Sequence, residues 1–297
     1  MPTSERPAPA YPAFEVLSPA RQTVPLVFNS PHSGRVYPPD FLAASRLDRS
    51  AIRRSEDTYV DELFAAANSH GAPLLRANFP RAWLDVNREP YELDPKMFSD
   101  RLPHYANVGS VRVAGGLGTI ARIVSESEEI YDQPLSVTDA LDRIEGYHKP
   151  YHRALAAMVG DTRQRFGLAV LIDCHSMPSA VRNGHSRQRP DVVVGDRYGT
   201  SCAPALTGLV IELLRGCGYA VARNKPYAGG YITEHYGKPA RGVHALQIEI
   251  NRSLYMNERT LERTASFEQL RLNLLKFIGD LADAIDAGLL APPAAAE

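Results

Sequence analysis

Four apolar runs in this chain each break off into polar, chemistry-bearing residues, and this pattern constrains the fold more than any other feature. Val24–Asn29 runs into Ser30-Pro31-His32-Ser33-Gly34, and Ala82–Val86 into Asn87-Arg88; Leu168–Asp173 leads to Cys174-His175-Ser176, and His244–Ile250 to Asn251-Arg252. An open α/β sheet presents side chains to a ligand beyond the carboxyl ends of its strands, so such runs read as strands feeding one site. Further strands are expected at Pro73–Arg76, Asp191–Val194 and Tyr219–Arg223, with a hairpin near Val111–Val113. Helical stripes lie between them. Asp57–His70 carries Val60, Leu63, Phe64 and Ala67 and stops at Gly71. A long helix runs from a Ser136 cap to Phe166 and ends at Gly167; Ala203–Arg215 is closed by Gly216 and Gly218. Glu258–Ile285 repeats apolar residues at helical spacing from Leu261 to Ile285, whereas 89–135 read as long loops. Strands alternating with helices predict an α/β fold with a mixed, largely parallel central sheet flanked by helices.

A chain of 297 residues with 44% hydrophobic content has ample material for a core, and no linker or repeat interrupts it. One domain over 13–290 is expected, with loose Pro/Ala-rich tails at 1–12 and 291–297. A formal charge of −1 gives no reason to expect a nucleic acid or an anionic membrane as partner. No window approaches the roughly 18 apolar residues of a membrane span, and the start lacks a secretory apolar region, so a cytoplasmic protein is expected. Three cysteines without paired spacing indicate neither a disulfide framework nor a cysteine zinc site. Sequence leaves the oligomeric state open.

Asp173 and His175 lie two apart at the end of a buried strand, so they share a face and Cys174 takes the other. That argues against a Cys174–His175 nucleophile pair and for His175 as a metal ligand or acid–base group. His32 stands in the same kind of position after the first strand. A catalytic zinc takes three protein ligands and keeps one position open. His32 and His175 supply two, and Glu56 and Asp57 are adjacent candidates for the third, although acids there also suit a helix start. Glu249 sits in an apolar strand, where a carboxylate is costly unless it is paired or functional. It reads as a general base or as the partner of Arg252 or Arg88. Arg88 and Arg252 each follow an asparagine and are forks suited to a carboxylate. Two further motifs carry less. Gly116-Leu117-Gly118-Thr119-Ile120-Ala121 fits a dinucleotide-loop pattern but lacks a good following helix, and His148 and His152, four apart, surround Pro150 and lack the Glu of helical zinc sites.

In the order Asn29 to Gly34, Asp57 to Leu63, Asp85 to Arg88, Asp173 to Ser176, Gly229 to Thr233 and Gln247 to Met256, these strings resemble the N-formylglutamate amidohydrolase family. The resemblance implies a phosphorylase/hydrolase-like fold related to zinc carboxypeptidases and aspartoacylases. It implies Asp57, rather than Glu56, as the third ligand of one zinc or other divalent ion per chain. It makes Glu249 the catalytic base and Asn87-Arg88 the grip on a substrate carboxylate. Arg252 or Arg81 would hold a second carboxylate or the oxyanion, and Tyr231, behind Gly229-Gly230, would close over the substrate. The expected reaction is metal-dependent hydrolysis of an N-acyl amino acid, N-formyl-L-glutamate first, in the family's usual setting of histidine catabolism. The alternatives are another N-acyl amino acid or small peptide as substrate, a metal-free acidic-amino-acid binding protein, and a nucleotide-dependent oxidoreductase resting on the glycine loop.

Overall fold

The structure is a computed structural model that describes residues 11–124, 128–180 and 189–289; most of both expected tails falls outside the described residues. The described residues form nine strands: β1 (Phe14–Leu17), β2 (Leu26–Ser30), β3 (Leu74–Ala77), β4 (Ile123–Val124), β5 (Glu128–Glu129), β6 (Ala169–Met177), β7 (Val192–Gly195), β8 (Val221–Arg223) and β9 (Val243–Asn251). Seven form one sheet in the order β1-β3-β2-β6-β9-β7-β8, and β4 and β5 form an antiparallel pair of their own. Within the large sheet β3, β2, β6 and β9 run parallel, β7 is antiparallel to β9, and β8 is parallel to β7. The mixed, mainly parallel sheet flanked by helices matches the sequence expectation.

The chain divides into two compact units. One comprises Val16–Pro31, Asp57–Arg76 and Ala156–Glu297 and holds β2, β6, β9, β7 and β8. Its central strands are short, almost wholly buried apolar runs, as a sheet covered on both faces requires. Period two then sorts their residues. Phe28, Val170, Ile172, Cys174, Leu246, Ile248 and Ile250 lie in the main core cluster. Leu270, Leu274, Ile278 and Leu281 of helix Phe267–Asp286, and Leu206, Val210 and Leu214 of helix Pro204–Gly216, belong to that same cluster. Asn29, Asp173, His175, Gln247 and Glu249 are one residue out of phase and belong to the opposite face. Register aligns them across strands, with Asp173 between Asn29 and Gln247, and His175 beside Glu249. From β2 the chain winds to β3 on one side and later to β6 on the other. The winding therefore reverses between β2 and β6, the switch point where α/β sheets open a crevice for ligands.

The other unit comprises Met1–Glu15, His32–Glu56 and Ala77–Leu155. Two sequence expectations fail here. Ala82–Val86 is a run of turns, not a strand, and its backbone has no ladder partner. Val111–Val113 is the start of a short helix, Val111–Ala114, because Ser110 Oγ accepts from Val113 N (3.0 Å) and caps it. The helix expected from Ser136 to Phe166 is broken: Val137–Arg143 is followed by a π turn, Ile144–His148, and then by Lys149–Phe166. Pro150 accounts for the break, since it lacks the N–H that Gly146 O would receive and its ring crowds that carbonyl. Elsewhere, Asp57–His70 contains only Val60–Leu63 as α-helix, followed by 3₁₀ turns, with Tyr59 left-handed at φ 67°. The last helix begins at Phe267, not at Glu258. Among the described residues no helix is long and apolar enough to cross a membrane.

Candidate active site

At the carboxyl edge of β2, β6 and β9 the buried polar residues form a chain of contacts. Asn29 Nδ2 donates to Asp173 Oδ1 (2.7 Å), and Asp173 Oδ2 meets His175 Nε2 (2.9 Å). His175 Nδ1 lies 3.0 Å from Asp57 Oδ2, while Asp57 Oδ1 accepts from Ser176 Oγ and from Arg252 Nη2, both at 3.1 Å. Arg252 Nε donates to Ser176 Oγ (3.0 Å), which ties the arginine to the same corner. On β9, Gln247 Nε2 donates to Glu249 Oε1 (2.7 Å), and Gln247 Oε1 accepts from Gly230 N (2.8 Å). Glu249 thus stands next to His175, its Oε1 held by an amide that is itself anchored to the glycine turn.

Burial alone would lower the pKa of His175, yet Asp173, Asp57 and Glu249 hold it well above the usual histidine range. The formal charges of Asp57, Asp173 and Glu249 (−3) and Arg252 (+1) sum to −2. Buried anions are costly without compensation. A proton on His175 supplies half of what is needed and a divalent cation supplies all of it, displacing that proton.

In the other unit Asp85 is the hub. Its Oδ1 contacts His32 Nε2 (2.7 Å) and accepts from Asn87 N (2.8 Å), an Asx turn. Its Oδ2 accepts from Arg81 Nη2 (2.8 Å), with Arg88 Nη2 at 3.8 Å. Burial alone would raise Asp85, but His32, Arg81 and Arg88 together hold it well below the usual carboxylate range. Asp85 fixes the ring of His32 through Nε2, which makes Nδ1 the nitrogen available to a metal; carboxylates hold metal-binding histidines in this way. Gly34 is required by packing, since a Cβ there would lie 2.1 Å from Phe79 O. Arg88 donates Nε to Leu117 O and Nη1 to Asn87 O, both at 2.8 Å. Two of its five N–H groups are thereby spent on carbonyls, which fixes the fork.

Three buried side chains, His32, Asp57 and His175, each offer one ligand atom, and these atoms lie within 4.8 Å of one another. Two imidazoles and a carboxylate are a donor set for zinc or a similar divalent ion. The 3.0 Å between His175 Nδ1 and Asp57 Oδ2 is close to the roughly 3.3 Å edge of a tetrahedron with metal bonds of about 2.0–2.1 Å. The group can hold a metal.

The model of the N-formylglutamate amidohydrolase family matches residues 24–256, from the run before β2 to the segment after β9. The chain belongs to the N-formylglutamate amidohydrolase family. Among its relatives is the N-formylglutamate deformylase of Pseudomonas aeruginosa, 29% identical over 248 residues that cover 82% of this chain and 87% of the relative. The Pseudomonas putida deformylase is equally similar, 29% over 251 residues, covering 82% and 86%. The crystal structure of N-formylglutamate amidohydrolase from Ralstonia eutropha superposes with a TM-score of 0.87 at 38% identity, over 93% of this chain and 99% of that one. A gene product of Agrobacterium tumefaciens shares the fold at TM-score 0.66 and 17% identity, covering 92% and 96%.

For this family member, the other residues singled out by sequence fall as follows. Glu56 accepts from both Arg53 Nε and Nη2 (2.9 Å each) and from Tyr37 (3.0 Å), and the ligand group contains its neighbour Asp57. Tyr231 is the first residue of a helix, Tyr231–Tyr236, stacked on His235 (5.0 Å between centroids), just after Gly229 at φ 117°. Cys174 is in the core, where burial raises its thiol well above the usual range. Asn29, Asp85 and Gln247 had no role assigned from sequence. The signal that could have found them is that each metal-binding imidazole needs an acceptor for its second nitrogen, and each catalytic carboxylate a donor.

Proposed function

We propose that this chain hydrolyses N-formyl-L-glutamate to formate and L-glutamate, using one divalent ion, zinc by donor chemistry, held by His32, Asp57 and His175. The observation that carries the reading is the buried His–Asp–His group inside a chain matched to this family over residues 24–256. When bound, the metal supplies a Lewis acid that activates water and polarises the formyl carbonyl. Glu249 accepts a proton from the attacking water as the C–O bond forms, then gives it to the amine as the C–N bond breaks. Gln247 orients Glu249 for both transfers. Asp85 and Asp173 set the ring orientation of the two histidines, and Arg252, bonded to Asp57 and Ser176, fixes the carboxylate ligand. Arg88 with Asn87 grips one substrate carboxylate. Arg81 is the better choice for the second carboxylate, because its side chain is 23% exposed against 8% for Arg252. Tyr231 closes over the bound substrate from its helix start.

The test is formate release from a panel of N-formyl and N-acetyl amino acids, with protein stripped by chelator and then reloaded with zinc. Fastest turnover on N-formyl-L-glutamate, lost on stripping and restored by zinc, is the expected result. Purified protein that binds acidic amino acids but holds no metal and releases no formate would replace the enzyme with a binding protein.

A further inference from the structure

The backbone from Trp83 to Arg88 is largely buried and has no strand partner, so its carbonyls must find donors elsewhere. Three side chains from the broken helix supply them. Arg143 Nη1 donates to Trp83 O (3.1 Å), His152 Nε2 lies 2.8 Å from Val86 O, and His148 Nε2 lies 3.0 Å from Arg88 O. A ring nitrogen facing a carbonyl oxygen has to be the donor, so both imidazoles carry Nε2–H. The two rings stack with centroids 4.5 Å apart and 29° between planes, one helical turn apart. The π turn Ile144–His148 has a purpose in this arrangement. On a regular α-helix Arg143 and His148, five apart, diverge; an i→i+5 turn brings such residues above one another. All three donors then meet a single stretch of chain.

We infer that His148 and His152 are positioning residues that mould the Asn87–Arg88 turn and so set where the Arg88 fork stands. This rests on the reading of Arg88 as the carboxylate grip. The guanidinium is already tied to Leu117 O and Asn87 O, so its place depends on the backbone beneath it, and the two histidines hold that backbone on either side of Asn87. Displacement of a gripping group by about 1 Å is enough to cost a large factor in a positioned reaction. Burial, opposed by the bond to Arg88 O, keeps His148 neutral by lowering its pKa to about 4. A neutral His148 ring meets its stacked neighbour without charge repulsion.

The experiment compares two amides of different reach in the zinc-loaded enzyme. Glutamine places an N–H near the imidazole Nε2 position, whereas asparagine stops near Nδ1. His148→Asn and His152→Asn should each raise KM for N-formyl-L-glutamate about tenfold, with kcat and zinc content within twofold. His148→Gln and His152→Gln should restore KM to within about twofold. Arg88→Lys is run alongside on N-formyl-L-glutamine and on the α-amide of N-formyl-L-glutamate, to identify which carboxylate Arg88 holds. On the substrate lacking that carboxylate the asparagine variants should match the parent enzyme. Unchanged KM in folded asparagine variants, or equal loss on every substrate, overturns the inference while a raised KM in Arg88→Lys leaves the grip intact. Unchanged KM in Arg88→Lys removes the grip and the inference together. Should His148→Asn not fold, the half-buried His152 carries the same comparison.

Discussion

Replacing Asp85 by asparagine tests the link between the arginine-bearing turn and His32, the proposed metal ligand. The side chain keeps its shape but loses its charge and one acceptor. If the amide oxygen takes the place of Oδ1, it retains His32 Nε2 and Asn87 N, at 2.7 and 2.8 Å. The amide nitrogen then stands where Oδ2 met Arg81 Nη2 at 2.8 Å, donor against donor. One charge-assisted bond is lost, and two guanidiniums lose the anion that faced them; a bond of this kind is worth about 1.5–3 kcal/mol. Asp85→Asn should therefore lose about 2–4 kcal/mol of stability in urea unfolding of the metal-free protein. A weaker acceptor for Nε2 also makes Nδ1 a poorer ligand. Loss of such a partner costs about 10–100-fold in metal affinity, or roughly 1.4–2.7 kcal/mol. Competition with a chromophoric chelator reads that affinity directly. Zinc binding within twofold of the parent, in a protein that has lost the expected stability, would refute the claim that Asp85 orients His32 for a metal.

Three further outcomes are expected. Glu249→Gln should bind zinc normally and lower kcat by about 10²-fold or more, measured by formate release; normal turnover would remove Glu249 as the base. Cys174→Ala should keep kcat and KM within twofold, because the thiol lies in the core on the far side of β6 from His175, and loss of turnover would contradict that placement. His148 has a depressed pKa, about 4 against an ordinary value of 6.5, so the unfolded chain binds more protons between these limits. Its contribution is complete above about pH 6.5 and is lost as pH falls towards 4, on the order of 3 kcal/mol. Urea unfolding across that window should show a steeper loss in the parent than in His148→Gln, and parallel curves would discount the burial.

The sheet was legible because period two is a strong signal in buried strands: β2, β6 and β9 lie where the apolar runs placed them, with Asp173 and His175 on one face. Ala82–Val86 misled because its apolar residues are buried for a different reason, under a helix whose arginine and histidines serve its carbonyls. No local pattern distinguishes that from a strand. The long helix from Ser136 was found, but its π turn depends on what Arg143 and His148 must reach. His32, Asp57 and His175 were visible as residue types after apolar runs, and the resemblance favoured Asp57 over Glu56. Asp85, Asn29 and Gln247 were not visible as partners, since each acts through a bond to a residue that only the fold brings near.

Cys174 and His175 are neighbours in sequence that belong to opposite sides of β6, one among leucines and isoleucines and the other among carboxylates. Inserting or deleting a single residue upstream in that strand would exchange the two environments outright, sending a thiol into the acidic pocket and an imidazole into hydrocarbon. Conversely, Val170, Ile172 and Cys174 of this strand offer a way to tune thermal robustness, and Asp173 and His175 a way to tune chemistry. An engineer wanting a hardier or a differently selective variant has two separate sets of sites to work on.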